Sequence, residues 1–101
     1  MVDQYIIRDS IDHYGKEIQA VVCMEECAEL IQAISKKLRG EESNENLAEE
    51  IADVTICLDM LRQIFGVPEV VVWNRIKEKQ LRNLKRIKED ELKKRKSEDA
   101  R

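Results

Sequence analysis

The sequence predicts an all-α fold, and three observations carry that prediction. Glycine and proline are scarce, at 3 and 1 residues in 101. Aromatic residues make up 4% and charged residues 39% of the chain, a balance that suits helices better than sheets. Apolar residues recur at steps of three and four along most of the length, the period of an amphipathic helix. A chain of this size makes one domain, with a core that is necessarily small. We assign residues 1–95 to that domain and residues 96–101 to a frayed, charged tail.

The first element spans the stretch around Tyr5, Ile6 and Ile11 and stops at Gly15. From Lys16 to Arg39 a long helix is marked by Ala20, Cys23, Met24, Cys27, Leu30, Ile31, Ile34 and Leu38. Its last turn is basic (Lys36, Lys37, Arg39) and Gly40 follows, a combination that ends helices. After the polar run Glu41–Asn46, Asn46 with Glu49 forms a capping-box pattern that opens the next helix. Leu47, Ile51, Val54, Leu58, Leu61 and Phe65 then predict a packing seam, closed by Gly66. Pro68 suits the first turn of a last helix. That helix begins with Val70, Val71, Val72 and Trp73 and thins to Ile76, Leu81, Leu84 and Ile87 among charges. The predicted architecture is a bundle of three main helices plus a short N-terminal helix. Apolar stripes on all three exceed what one small bundle covers, which predicts a homodimer or homotetramer.

Charge is divided unevenly. Residues 1–74 carry 6 basic against 15 acidic side chains, a net −9, whereas residues 75–101 carry 12 against 6, a net +6. The basic last helix admits a nucleic-acid reading, but its interleaved acids and the acidic body weigh against one. With no long apolar stretch and no signal segment, a cytoplasmic protein without a membrane partner is expected. The three cysteines read as reduced, buried thiols; the single histidine, His13, gives zinc too few partners.

Two acidic couplets stand out within this frame. Glu26 and Glu29 are three apart, as are Glu50 and Asp53, and that spacing puts each pair on one helical face. Both lie in apolar runs, where ionised carboxylates are costly unless compensated. Four carboxylates meeting where two helices pack would raise one another's pKa values, and a hard divalent cation would reverse the penalty. These residues therefore read as a Mg2+ site, with Mn2+ as a substitute. Solvent-facing acidic helices are the competing reading.

The pattern Glu25-Glu26-x-x-Glu29, a 20-residue gap, then Glu50-x-x-Asp53 resembles the signature of the MazG-type all-α nucleoside triphosphate pyrophosphohydrolases. The resemblance extends from about Tyr14-Gly15 to the last helix. It implies Mg2+-dependent hydrolysis of an NTP or dNTP to the monophosphate and pyrophosphate, for house-cleaning or pool control. It makes Glu26, Glu29, Glu50 and Asp53 metal ligands and puts Glu25 and Glu26 in the chemistry, with Glu25 open as ligand, base or outer carboxylate. Lys79, Asn83 and Arg86 match the family's Lys-x-x-x-Asn-x-x-Arg arrangement and, with Lys36, are candidate phosphate contacts. For Lys36 the helix dipole alone is a sufficient explanation. A homologue that binds nucleotide or a protein partner without catalysis is the alternative. Trp73 reads as core or interface, and His13 and Tyr14 as residues near a turn that could approach a base.

Overall fold

The computed structural model describes residues 2–100, of which 88% are helical, with no strand among the described residues. Four helices follow in order: α1 (Gln4–Tyr14), α2 (Lys16–Leu38), α3 (Asn44–Phe65) and α4 (Glu69–Asp99). They form two compact units, Met1–Val67 and Pro68–Arg101. Among the described residues, no helix is long and apolar enough to cross a membrane.

The helix ends follow from local hydrogen bonding. Asp3 caps α1, its Oδ1 accepting from the amides of Tyr5 at 2.9 Å and Ile6 at 3.2 Å. At the end of α2, the amide of Glu41 donates to the Lys36 carbonyl at 2.8 Å and that of Gly40 to the Lys37 carbonyl at 3.0 Å. This paired reversal needs the left-handed backbone of Gly40, φ 74°. Gly66, φ 67°, does the same for α3, where the Val67 amide returns to the Arg62 carbonyl at 2.9 Å.

Helix α3 starts earlier than the sequence predicts. Ser43 is the cap: its backbone is extended and its hydroxyl accepts from the Asn46 amide at 3.1 Å. Asn46 already lies within the helix, so the Asn46–Glu49 pattern is not the cap. Pro68 likewise sits one position before α4, as its N-terminal flank rather than in its first turn. Helix α4 is helical through Asp99, across the residues for which the sequence predicts fraying.

In the first unit α2 and α3 pack antiparallel, and α1 lies against both. The core consists of Ile7 and Ile11 from α1, Cys23 from α2, and Cys57, Met60 and Ile64 from α3, with Val2, Ala20 and Leu61 packed on it. The predicted seam of α3 is therefore displaced. Cys57, Met60 and Ile64 are buried, while Ile51, Leu58 and Phe65 are exposed. The α2 line divides in the same way, with Cys23 inside and Met24, Ile31 and Leu38 outside. Sequence periodicity finds an apolar arc of each helix, but only its edge faces the partner helix. Small side chains at Ala20, Cys23, Ala33 and Cys57 occupy the contact itself, and these carry a weaker hydrophobic signal.

A polar clasp holds α1 to α3. Gln4 donates to Asp59 at 3.2 Å and accepts from Arg62 at 3.3 Å and Gln63 at 3.0 Å; Arg62 pairs with Asp59 at 3.1 Å. This ion pair is partly shielded from water, unlike Arg39–Glu41 and Arg75–Glu78, which are solvent-exposed.

Helix α4 has no buried residue over its 31 positions, and Trp73, Ile76, Leu81, Leu84, Ile87 and Leu92 are all exposed.

Ile7 is 2% exposed, whereas the adjacent Ile6 is 67% exposed. Ile7→Ala should cost about 3 kcal/mol, from lost transfer energy plus a cavity. Ile6→Ala should stay within about 0.5 kcal/mol of the parent. Urea unfolding of the two variants checks this, and equal losses would place the core elsewhere.

Candidate metal centre

Antiparallel packing of α2 on α3 sets the acidic couplets against each other. The buried contact of Cys23 with Cys57, where the thiol donates to the Cys57 carbonyl at 3.6 Å, fixes the register. One to two turns further along α2, and about two turns earlier on α3, the carboxylates meet. Glu26, Glu29 and Glu50 each offer an oxygen that lies within 4.8 Å of the other two. Asp53 is outside this group of three, but its charge acts on both Glu26 and Glu50.

Glu26 and Glu50 are half-buried, and Glu29 is exposed at the mouth. Oε2 of Glu26 and Oε2 of Glu50 are buried with no hydrogen-bond partner among the described residues. Lone pairs in that situation carry a desolvation penalty that a nearby donor or cation would offset. The effect appears in their titration. Burial first, then the charges of Glu29, Asp53 and Glu50, raise the pKa of Glu26. Burial, then Glu29 and Asp53, raise that of Glu50. No lysine or arginine forms an ion pair with any of these four side chains among the described residues. The donor set is all oxygen, partly shielded and several-fold negative, which fits Mg2+ or Mn2+ and not a soft metal.

The remaining candidates are more dispersed. Glu25 is exposed and precedes Glu26 by one residue, a rotation of about 100° that takes it out of the converging group. Lys36 is exposed in the last turn of α2, seven residues and so about 10 Å along the axis from Glu29. Lys79, Asn83 and Arg86 are exposed on one face of α4. His13 and Tyr14 stack edge to face with centroids 4.6 Å apart at the end of α1. Trp73 is 60% exposed. The cysteines are unbridged. Cys23 and Cys57 are buried, and Cys27 is half-buried. Burial pushes the Cys57 thiol up to about 12, which leaves it unreactive at neutral pH.

No family model, curated protein or solved structure matches this chain.

The raised carboxyls set a pH dependence. A carboxyl with a higher pKa in the fold binds its proton more readily there than in the unfolded chain. Its contribution to stability is fully present below the ordinary glutamate range and is lost as pH rises through the raised value. Metal-free wild type and Glu50→Gln should therefore differ little in melting temperature below about pH 4. The variant should gain on the wild type as pH is raised to neutrality. Thermal melts in a chelator-treated pH series test this; parallel curves would remove Glu50 from the repulsive cluster.

Proposed function

We propose that the chain is a Mg2+-dependent nucleoside triphosphate pyrophosphohydrolase, with Mn2+ able to substitute. The observation that carries this reading is the convergence of Glu26, Glu29 and Glu50, two of them with a buried oxygen lacking any partner. The likeness of Glu25-Glu26-x-x-Glu29 and Glu50-x-x-Asp53 to the MazG-type signature supplies the reaction class.

In this reading Glu26, Glu29 and Glu50, with Asp53 beside them, hold the cation. A cation held there would supply charge neutralisation for the triphosphate and would acidify a nearby water. Water oxygen bonds to the α-phosphorus, the bond from that phosphorus to the bridging oxygen breaks, and pyrophosphate leaves with the bridging oxygen. The proton released by the water passes to a carboxylate at the site. Glu26 lies inside the group for this role, and Glu25, the other candidate, is turned out of the group. Lys36 is the cation on the same helix face for an outer phosphate; on α4, Lys79, Asn83 and Arg86 resemble the family's phosphate-contact pattern. The reading extends to a cytoplasmic enzyme that works as a homo-oligomer.

Incubation with a panel of NTPs and dNTPs plus Mg2+ should yield monophosphate and pyrophosphate in equal amounts. Orthophosphate as the primary product overturns the assignment. Glu50→Gln should lose most of the activity while keeping its helicity. Mg2+ at a hundredfold excess over its dissociation constant should stabilise the wild type by about 2.7 kcal/mol, and the variant by much less. A Glu41→Gln control, on an exposed loop residue, should change neither rate nor metal response.

A further inference from the structure

We infer that the groove between α1 and α3 takes the base of the nucleotide, and that Asp3 selects a base with an exocyclic amino group, cytosine or adenine. The inference rests on the hydrolytic reading for the position of the phosphates and adds to it a choice of substrate.

The groove lies on the flank of α1 turned away from the clasp. Gln4 binds Asp59, Arg62 and Gln63 toward the end of α3. Asp3 and Ile6 instead face Ala52, Thr55 and Ile56, earlier on α3. That is the level of the carboxylates. Ala52 is bonded to Asp53, and Glu50 precedes it by two residues. Asp53 precedes Ile56 by three residues, so their side chains leave α3 within about 60° of one another. Groove and cluster thus share one face of α3 and adjoin there.

The floor of the groove is apolar, formed by Ile6, Ile7 and Ile56 around a space of about 440 Å3. That volume falls in the range of pockets that bury small ligands. Two polar side chains line it, and both offer acceptors. The Thr55 hydroxyl donates its proton to the Ile51 carbonyl at 2.7 Å, which leaves its oxygen to accept. Asp3 uses Oδ1 to cap the amides of Tyr5 and Ile6. Its Oδ2 makes no hydrogen bond among the described residues, and an ionised carboxylate only accepts.

An apolar slot with an acceptor rim suits a flat ring that carries donors. Cytosine has an amino group where uracil has a carbonyl oxygen. The amino group donates to the Asp3 carboxylate, whereas the carbonyl sets lone pair against lone pair. The same carboxylate repels a triphosphate. The nucleotide is therefore held in one direction, with its base in the groove and its phosphates at the cluster.

Titration calorimetry with α,β-imido CTP and α,β-imido UTP in Mg2+ tests the groove without turnover. Wild type should bind the cytosine analogue about tenfold more tightly, the worth of one hydrogen bond to a charged group. Asp3→Asn is the deciding variant. Asparagine caps a helix as well as aspartate does, so its oxygen keeps the cap while its nitrogen puts a donor in the place of Oδ2. The preference should fall to parity or reverse toward uracil. Ala52→Leu, which narrows the groove, should weaken both analogues together and leave the stabilisation by Mg2+ alone unchanged. Equal affinities in the wild type overturn the inference, as does a cytosine preference that Asp3→Asn leaves intact. Failure to bind either analogue overturns it too, and so does binding that Ala52→Leu does not weaken. If Asp3→Asn does not fold, Ala52→Leu decides. The hydrolytic reading fails by a different result, in which the analogues bind with this preference but CTP itself releases no pyrophosphate.

Discussion

Like-charge crowding at the α2–α3 contact is the constraint on which the rest of the first unit depends. Glu26, Glu29 and Glu50 bring oxygens within 4.8 Å of one another, and no basic side chain among the described residues pairs with them. A helix pair can hold such a group only if other contacts supply more than the repulsion removes. The supply is modest. Ile7, Ile11, Met60 and Ile64 are the large buried apolar side chains, and α1 contributes two of them. Docking of α1 by its apolar edge and its polar clasp is thus what keeps two acidic helices together without a cation.

Side-chain size allows the carboxylates to meet. Ala20, Cys23 and Ala33 of α2 and Cys57 of α3 are small, so the helices approach without bulky residues between them. The short stems of glutamate and aspartate then reach across. Thiols at the contact fill volume as alanine or valine would, and their burial, with the high value at Cys57, keeps them protonated. Replacing these residues with leucine would force the helices apart and separate the carboxylates as well.

Much of this was legible in the sequence, and the exceptions have a common cause. The helices, the glycine stops at Gly15, Gly40 and Gly66, and the facing of the two couplets follow from periodicity, turn chemistry and three-residue spacing. The α3 cap at Ser43 was missed because Asn46 also satisfies a capping pattern, and only backbone conformation decides between them. The seam of α3 was displaced because hydrophobicity ranks Ile51, Leu58 and Phe65 above Cys57. A sequence marks how apolar each face is, but not which of two apolar arcs meets its own chain. The grouping of Glu26, Glu29 and Glu50, with Asp53 beside rather than within it, depends on helix register, which spacing along one helix does not fix.

The clasp of Gln4 on Asp59, Arg62 and Gln63 joins residues 55 to 59 positions apart. Contacts of that separation close a long loop, whose entropy must be lost before the bonds form. The α2–α3 hairpin closes a shorter one. Folding in that order makes the hairpin, with its crowded carboxylates, the first tertiary structure, and α1 the element that arrives on it. A cation bound by the hairpin would then act on the rate at which the chain folds, before it acts on the finished protein's resistance to unfolding.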